Sequence, residues 1–183
     1  SRESILAGVR NRYVKEMEGE EISDDLLPGF ELIKSWNLRA DSLNTSAALS
    51  ILTLPNAFKP ENLKYDRDSI TIKLRENMSY LKKQYGRIDV PLGRVVRLVR
   101  GETSLPLSGG PGTLRAIYSK KSGKNYKAVA GDCYIQAVEW GPEGQLNAWS
   151  IHQYGSSTMD KTSPHFDDQS KYFSKHELKV IRP

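Results

Sequence analysis

The sequence predicts an α+β fold, with a helical N-terminal half followed by a mostly antiparallel sheet. Three observations carry that prediction. Up to residue 85, apolar side chains recur at helical spacing; after Pro91 the spacing falls to two. Farther on, Gly141-Pro142-Glu143-Gly144 separates two strand-like runs, a strong hairpin signal. The 183 residues suit one large domain. It divides into a helical segment over 1–90 and an antiparallel β segment with a short C-terminal helix over 91–183.

In chain order, Ile5, Val9, Tyr13 and Met17 recur every fourth residue and form the apolar stripe of a first helix, which ends near Gly19. An acidic loop over 20–25 follows. Residues 26–36 suit a second helix with Phe30 and Ile33 inward and Leu32 and Trp36 as further inward candidates. Residues 46–54 form a short apolar helix closed by Pro55. The clearest helix spans 66–85: Ile70, Leu74, Met78 and Leu81 make its inner face, Lys73, Arg75, Lys82 and Lys83 its wet face, and Gly86 ends it. Beyond it, 95–99 and 113–119 have strand composition, 120–125 is a polar turn, and 126–130 is the partner strand. Residues 133–140 and 145–153 are the hairpin strands, 167–175 a short helix, and the tail is extended.

The charge is uneven. The total is +5, but residues 1–60 hold 7 basic against 9 acidic side chains, 61–100 hold 10 against 5, and 101–183 hold 10 against 8. The excess therefore falls on one helix and on the loop and strand after it. It is not interleaved with exposed aromatics in a recognised module, so nucleic acid is not an expected partner and a solvated helix face is. No apolar run is long enough to span a bilayer. No basic-then-apolar leader opens the sequence, so the chain is expected either to be cytosolic or to begin after a removed leader.

The stretch from 105 to 169 is the richest in chemistry. Gly109, Gly110 and Gly112 around Pro111 demand a tight turn, and polar side chains gather at 152–157 and 163–169. A hydrolase would draw on Ser108 or Ser156, His152 or His165, and Asp167 or Asp168, but no Gly-x-Ser-x-Gly elbow supports either serine. Capping and turn hydrogen bonds are the default roles. His152, His165, Asp167 and Asp168 are possible metal ligands at a spacing that matches no metal motif. The glycine turn leads into strand-like Thr113-Leu114-Arg115-Ala116-Ile117-Tyr118, whereas a phosphate loop leads into a helix. No cofactor is expected. Ser1 opens an amphipathic helix rather than a strand and reads as a helix cap or an arbitrary start, not as a nucleophile. Cys133, the only cysteine, forms no internal disulfide and is expected to be a small buried hydrophobe in a strand.

Taken in order, four blocks resemble the penicillin acylase (penicillin amidase) family of N-terminal-nucleophile hydrolases, and most closely its branch acting on acyl-homoserine lactones and lipopeptides. They are Leu32-Ile33-Lys34-Ser35-Trp36-Asn37; Tyr85-Gly86-Arg87-Ile88-Asp89-Val90-Pro91-Leu92-Gly93; residues 105–115; and His152-Gln153-Tyr154-Gly155-Ser156-Ser157 with residues 163–169. Gly109, Gly110, Thr113, Leu114 and Arg115 match the family's Gly-Gly-x-x-Thr-Leu-Arg block. His152, Tyr154, Gly155, His165, Asp168 and Gln169 match its closing signature, in which Phe166 stands where tyrosine is common.

The likeness is to the end of that family's β subunit. It implies one part of an αββα sandwich and a partial domain of a larger enzyme. No position matches the family's catalytic serine or oxyanion asparagine, so the chain carries no catalytic residue and is expected to be inactive alone. Its implied partners are the α subunit and the N-terminal part of the β subunit of the same precursor, and the whole enzyme's small acylated substrate. Periplasmic or extracellular location is implied as well. Arg115, His152 and Tyr154 are candidates for bracing the pocket. The alternative is a self-contained, non-catalytic binding domain. A fragment should leave a strand edge and an apolar face exposed, open to self-association, whereas a stand-alone domain covers them. A small serine or metal hydrolase would instead bring His152 and His165 together in a cleft.

Overall fold

The computed structural model describes residues 5–55 and 63–182; Ser1 lies outside them. Helix α1 (Ile5–Met17) buries the side chains of Leu6, Val9, Tyr13 and Met17. Tyr13 meets Phe30 edge-on at 6.4 Å, and its hydroxyl lies 3.1 Å from Thr71 Oγ1, which satisfies the one polar atom of a buried ring. Helix α2 (Leu27–Lys34) is shorter than its sequence pattern, beginning with Pro28 in its first turn. Trp36, beyond its end, is nonetheless buried, and its indole N–H donates to the Arg39 carbonyl at 3.0 Å. Helix α3 (Ala47–Thr53) is short and almost wholly buried.

The long helix α4 (Arg67–Tyr85) follows its sequence closely, with Ile70, Leu74, Met78 and Leu81 inward. Asp66 caps it by accepting from the Ser69 N–H at 3.2 Å, and Gly86 closes it in the left-handed conformation. One helical turn, α5 (Leu92–Val95), then runs directly into strand β1 (Val96–Arg100). The sequence did not indicate α5. It is pinned by backbone bonds from Leu92 and Gly93 to the carbonyls of Asn44 and Ser42.

Two sheets follow. The first, in the order β2-β1-β4-β3, contains β1, β2 (Thr103–Pro106), β3 (Ile117–Ser122) and β4 (Asn125–Gly131). The second, in the order β5-β6-β7, contains β5 (Tyr134–Trp140), β6 (Leu146–His152) and the two-residue β7 (Lys179–Val180). Helix α6 (Ser170–Lys175) packs on β6 and β2. The fold is α+β, and its strand pairs are antiparallel except for one: β1 and β4 run parallel, with Val96 opposite Tyr126.

Three local expectations are corrected. Residues 113–116 form a turn, and β3 starts only at Ile117, because the carbonyl of Gly110 takes the N–H groups of Thr113 and Ile117. The polar turn shrinks to Gly123-Lys124, since Ser122 already pairs with Asn125. Cys133 is exposed. It sits in the junction between β4 and β5, where its carbonyl accepts from Gln153 at 3.1 Å, rather than on an inward strand position.

One apolar core runs through all of this, from Leu6 and Tyr13 through Leu74 and Leu81 to Leu98, Ile117, Ile151 and Phe173. The helical and β segments share it. The outer strand β5 is the exception. Every β5 residue but Ile135 is exposed, on both faces of the strand. Trp140 and Leu146, opposite one another in the register, are 73% and 62% exposed.

Candidate functional site

The glycine turn is held from the inside. Gly109 has φ +114, in the left-handed region that favours glycine, and its N–H donates to Ala40 at 2.7 Å. A Cβ there would stand 2.6 Å from the Arg115 carbonyl, too close for any other residue. Gly110 forms a bridge with Ala116 and donates to the Arg115 carbonyl and to Thr113 Oγ1 at 3.1 and 3.0 Å. The Thr113 hydroxyl lies within 2.8 Å of the Gly110 carbonyl and 2.6 Å of the Arg115 carbonyl. Leu114 is left fully exposed at the tip.

Arg115 leaves this turn and reaches α6, where Nη2 donates to the Phe173 carbonyl at 2.6 Å and the guanidinium lies 4.0 Å over the Phe173 ring. Its Nε is buried without a partner. Burial lowers its pKa, with Asp132 opposing. Beside it opens a cavity of about 680 Å3 between the loop at 38–41, the glycine turn and the second sheet. Leu38, Ile135, Ile151 and Leu178 form its apolar wall, and Asp41, Asp132 and His176 add polar groups to its lining. Burial, then Arg115, pushes the His176 imidazole below its ordinary range, against the pull of Asp41.

The closing signature folds into a strap over β1 and β2. Arg100, which the sequence did not single out, fastens it. Its guanidinium donates to the carbonyls of Ser157 and Thr158 at 3.2 and 2.9 Å and to that of Phe166 at 3.4 Å. It also stacks 3.9 Å over the Phe166 ring and 4.9 Å over Tyr154. Thr103 on β2 donates its hydroxyl to Asp167. Gln169 Oε1 accepts the His152 N–H at 3.0 Å, and the Gln169 N–H donates to Tyr154 at 2.7 Å. Gly155 sits against the His165 carbonyl and Asp168 Oδ1, so a side chain there would displace both.

The candidate catalytic groups are engaged in local contacts of the fold. His152 lies against the Tyr134 ring at 4.9 Å, while His165 Nδ1 pairs with Asp168 Oδ2 at 3.2 Å on the surface. Asp168 Oδ1 is buried and unpartnered. Ser108 is buried and accepts the Ser42 N–H at 2.9 Å, and Asp167 is engaged by Thr103. Among the described residues, no group of three or more His, Cys, Asp or Glu is placed to hold a metal ion. The residues that sequence reading missed are Arg100, Asp41, Asp132 and His176. Nothing local marked them, because each reaches its neighbours across the fold.

What this ordered set of blocks builds is a braced wall beside a mixed apolar and ionic cavity. The penicillin amidase family model matches residues 3–182, and the chain belongs to that family.

Proposed function

We propose that this chain is a C-terminal β-subunit segment of an amidase that cleaves the amide of a small acylated molecule of the penicillin, acyl-homoserine lactone or lipopeptide type. Family membership carries the amide-hydrolase reading. The hairpin supports the finer one. A sheet whose outer strand is exposed on both faces, with Tyr134, Val138, Trp140 and Leu146 open to solvent, is built to be covered. We assign the cover to the α subunit and the earlier part of the β subunit of the same precursor, and place the mature enzyme in the periplasm or outside the cell. In that enzyme an N-terminal serine, outside this chain, attacks the amide carbonyl while its own amine takes the hydroxyl proton. The amine product leaves with that proton, and water then releases the acid from the acyl-enzyme. Backbone and asparagine donors, also outside this chain, hold the oxyanion.

The strap and the Arg115 turn brace the wall from behind in this reading, and no residue of the chain touches the reacting atoms. The test is hydrolysis of N-acyl aryl amides, followed for the purified chain and for the whole enzyme. Turnover by the whole enzyme and none by the chain is the expected result. Turnover by the chain alone contradicts the proposal.

A further inference from the structure

The basic excess of residues 61–100 is not spread evenly over a wet helix face. Part of it converges, with a lysine from the β3–β4 turn, on a hollow of about 250 Å3 between the end of α4, α5 and that turn. Arg94, Arg97 and Lys124 line it with Tyr85, Ser104 and Asn125, and neither Asp nor Glu is among its lining residues. Among the described residues, none of the three cations takes part in an ion pair.

The hollow is held in shape. Tyr80 and Tyr85 both donate to the Lys124 carbonyl, at 2.8 and 2.6 Å, which fixes the turn against the helix. The Tyr85 hydroxyl also lies 2.8 Å from Asn125 Oδ1, and Arg94 sits 5.9 Å over the Tyr85 ring. Arg97 donates to the carbonyls of Gly93 and Ser104 and to Ser104 Oγ at 3.2 Å. Those three bonds leave two of its five N–H groups uncommitted. Burial holds Arg97 below the ordinary arginine range, with Tyr85 working the other way.

Three cations line one hollow that has no carboxylate in its wall, so an anion seated there is attracted by all three. We propose that the hollow bounded by Arg94, Arg97 and Lys124 binds a phosphate-type oxyanion, a tetrahedral group carrying more than one negative charge. Several cations and amide donors around one small volume suit such a group better than a monocarboxylate. The same chemistry is offered by soluble phosphate esters and by the headgroup of an anionic lipid. The hollow lies away from the Arg115 cavity and does not depend on the amidase reading.

The experiment titrates the purified protein with inorganic phosphate, and separately with phosphatidylglycerol vesicles, each against acetate or chloride at equal ionic strength. Binding is read by calorimetry and by the shift in melting temperature. Saturable binding of phosphate or of the vesicles is expected, beyond the acetate and chloride controls. The doubly substituted R94Q/K124Q protein should bind at least about tenfold more weakly while melting as the parent does without ligand. Phosphate binding identifies a soluble ligand, and vesicle binding alone identifies a headgroup. Equal effects of phosphate and chloride, no binding in either arm, or undiminished binding by K124Q together with R94Q/K124Q would overturn the proposal. Lys124 is an exposed turn residue, so K124Q keeps the test intact if the double substitution lowers the melting temperature.

Discussion

Arg100 holds more of the strap than any other single side chain. It joins β1 to three carbonyls and two aromatic rings from the chain's closing third. Replacing it with alanine strands those carbonyls and should lower the unfolding free energy by about 2–3 kcal/mol in a denaturant titration. Lysine keeps the charge but neither the fork nor the planar stack, and should recover less than half of that loss. Gly109→Ala meets both a positive φ and the Arg115 carbonyl, and should cost about 1–3 kcal/mol by the same measurement. A third residue-scale effect is pH-dependent. The Tyr65 hydroxyl donates to Glu16 at 2.6 Å and, with Arg12, holds that carboxyl below its ordinary value. A lowered folded pKa stabilises above the ordinary Glu range, and the benefit is lost as pH falls through the folded value. Melting curves from pH 7 to 3 should therefore fall less steeply for Tyr65→Phe than for the parent.

At the scale of elements, what could be read from sequence depended on how local its cause was. The α4 helix carries its own four-residue stripe and its Gly86 stop, and both lie where the sequence put them; Asp66, read as its first residue, is its cap. The β5–β6 hairpin was equally legible, because its turn residues and strand runs are contiguous. The β2 strand escaped notice. It has only four residues, ends in Pro106, and exists because β1 pairs with it across a two-residue turn. The parallel β1–β4 pairing joins segments some thirty residues apart and leaves no periodic trace. Residues 113–116 had strand composition, yet the Gly110 carbonyl and the Thr113 hydroxyl fold them into a turn. The candidate site divides along the same line: the Gly-rich turn was legible, whereas Arg100 and the Asp41, Asp132 and His176 side chains come together only in the fold. One element-scale prediction concerns β5, an open edge with one charged residue, Glu139. The isolated chain should self-associate through that edge as its concentration rises. Val138→Lys should shift sedimentation velocity profiles toward monomer.

For the whole molecule, burial is uneven in a consistent way. The core is continuous from α1 to α6, while the outer strand of the second sheet, β5, is open on both faces. Together with membership of the penicillin amidase family, this supports a segment that completes its sheet with other parts of an enzyme rather than a self-contained binding domain. In the proposed reading the Arg115 turn and the Arg100 strap act as scaffold, with the nucleophile elsewhere in the enzyme. The most direct measurement is the intact mass and N-terminal sequence of the mature polypeptide that contains this chain in its native host. The account predicts a polypeptide larger than this chain, beginning with a serine exposed by processing and active on an acylated amide. A mature product no larger than this chain that hydrolyses the amide by itself would contradict it.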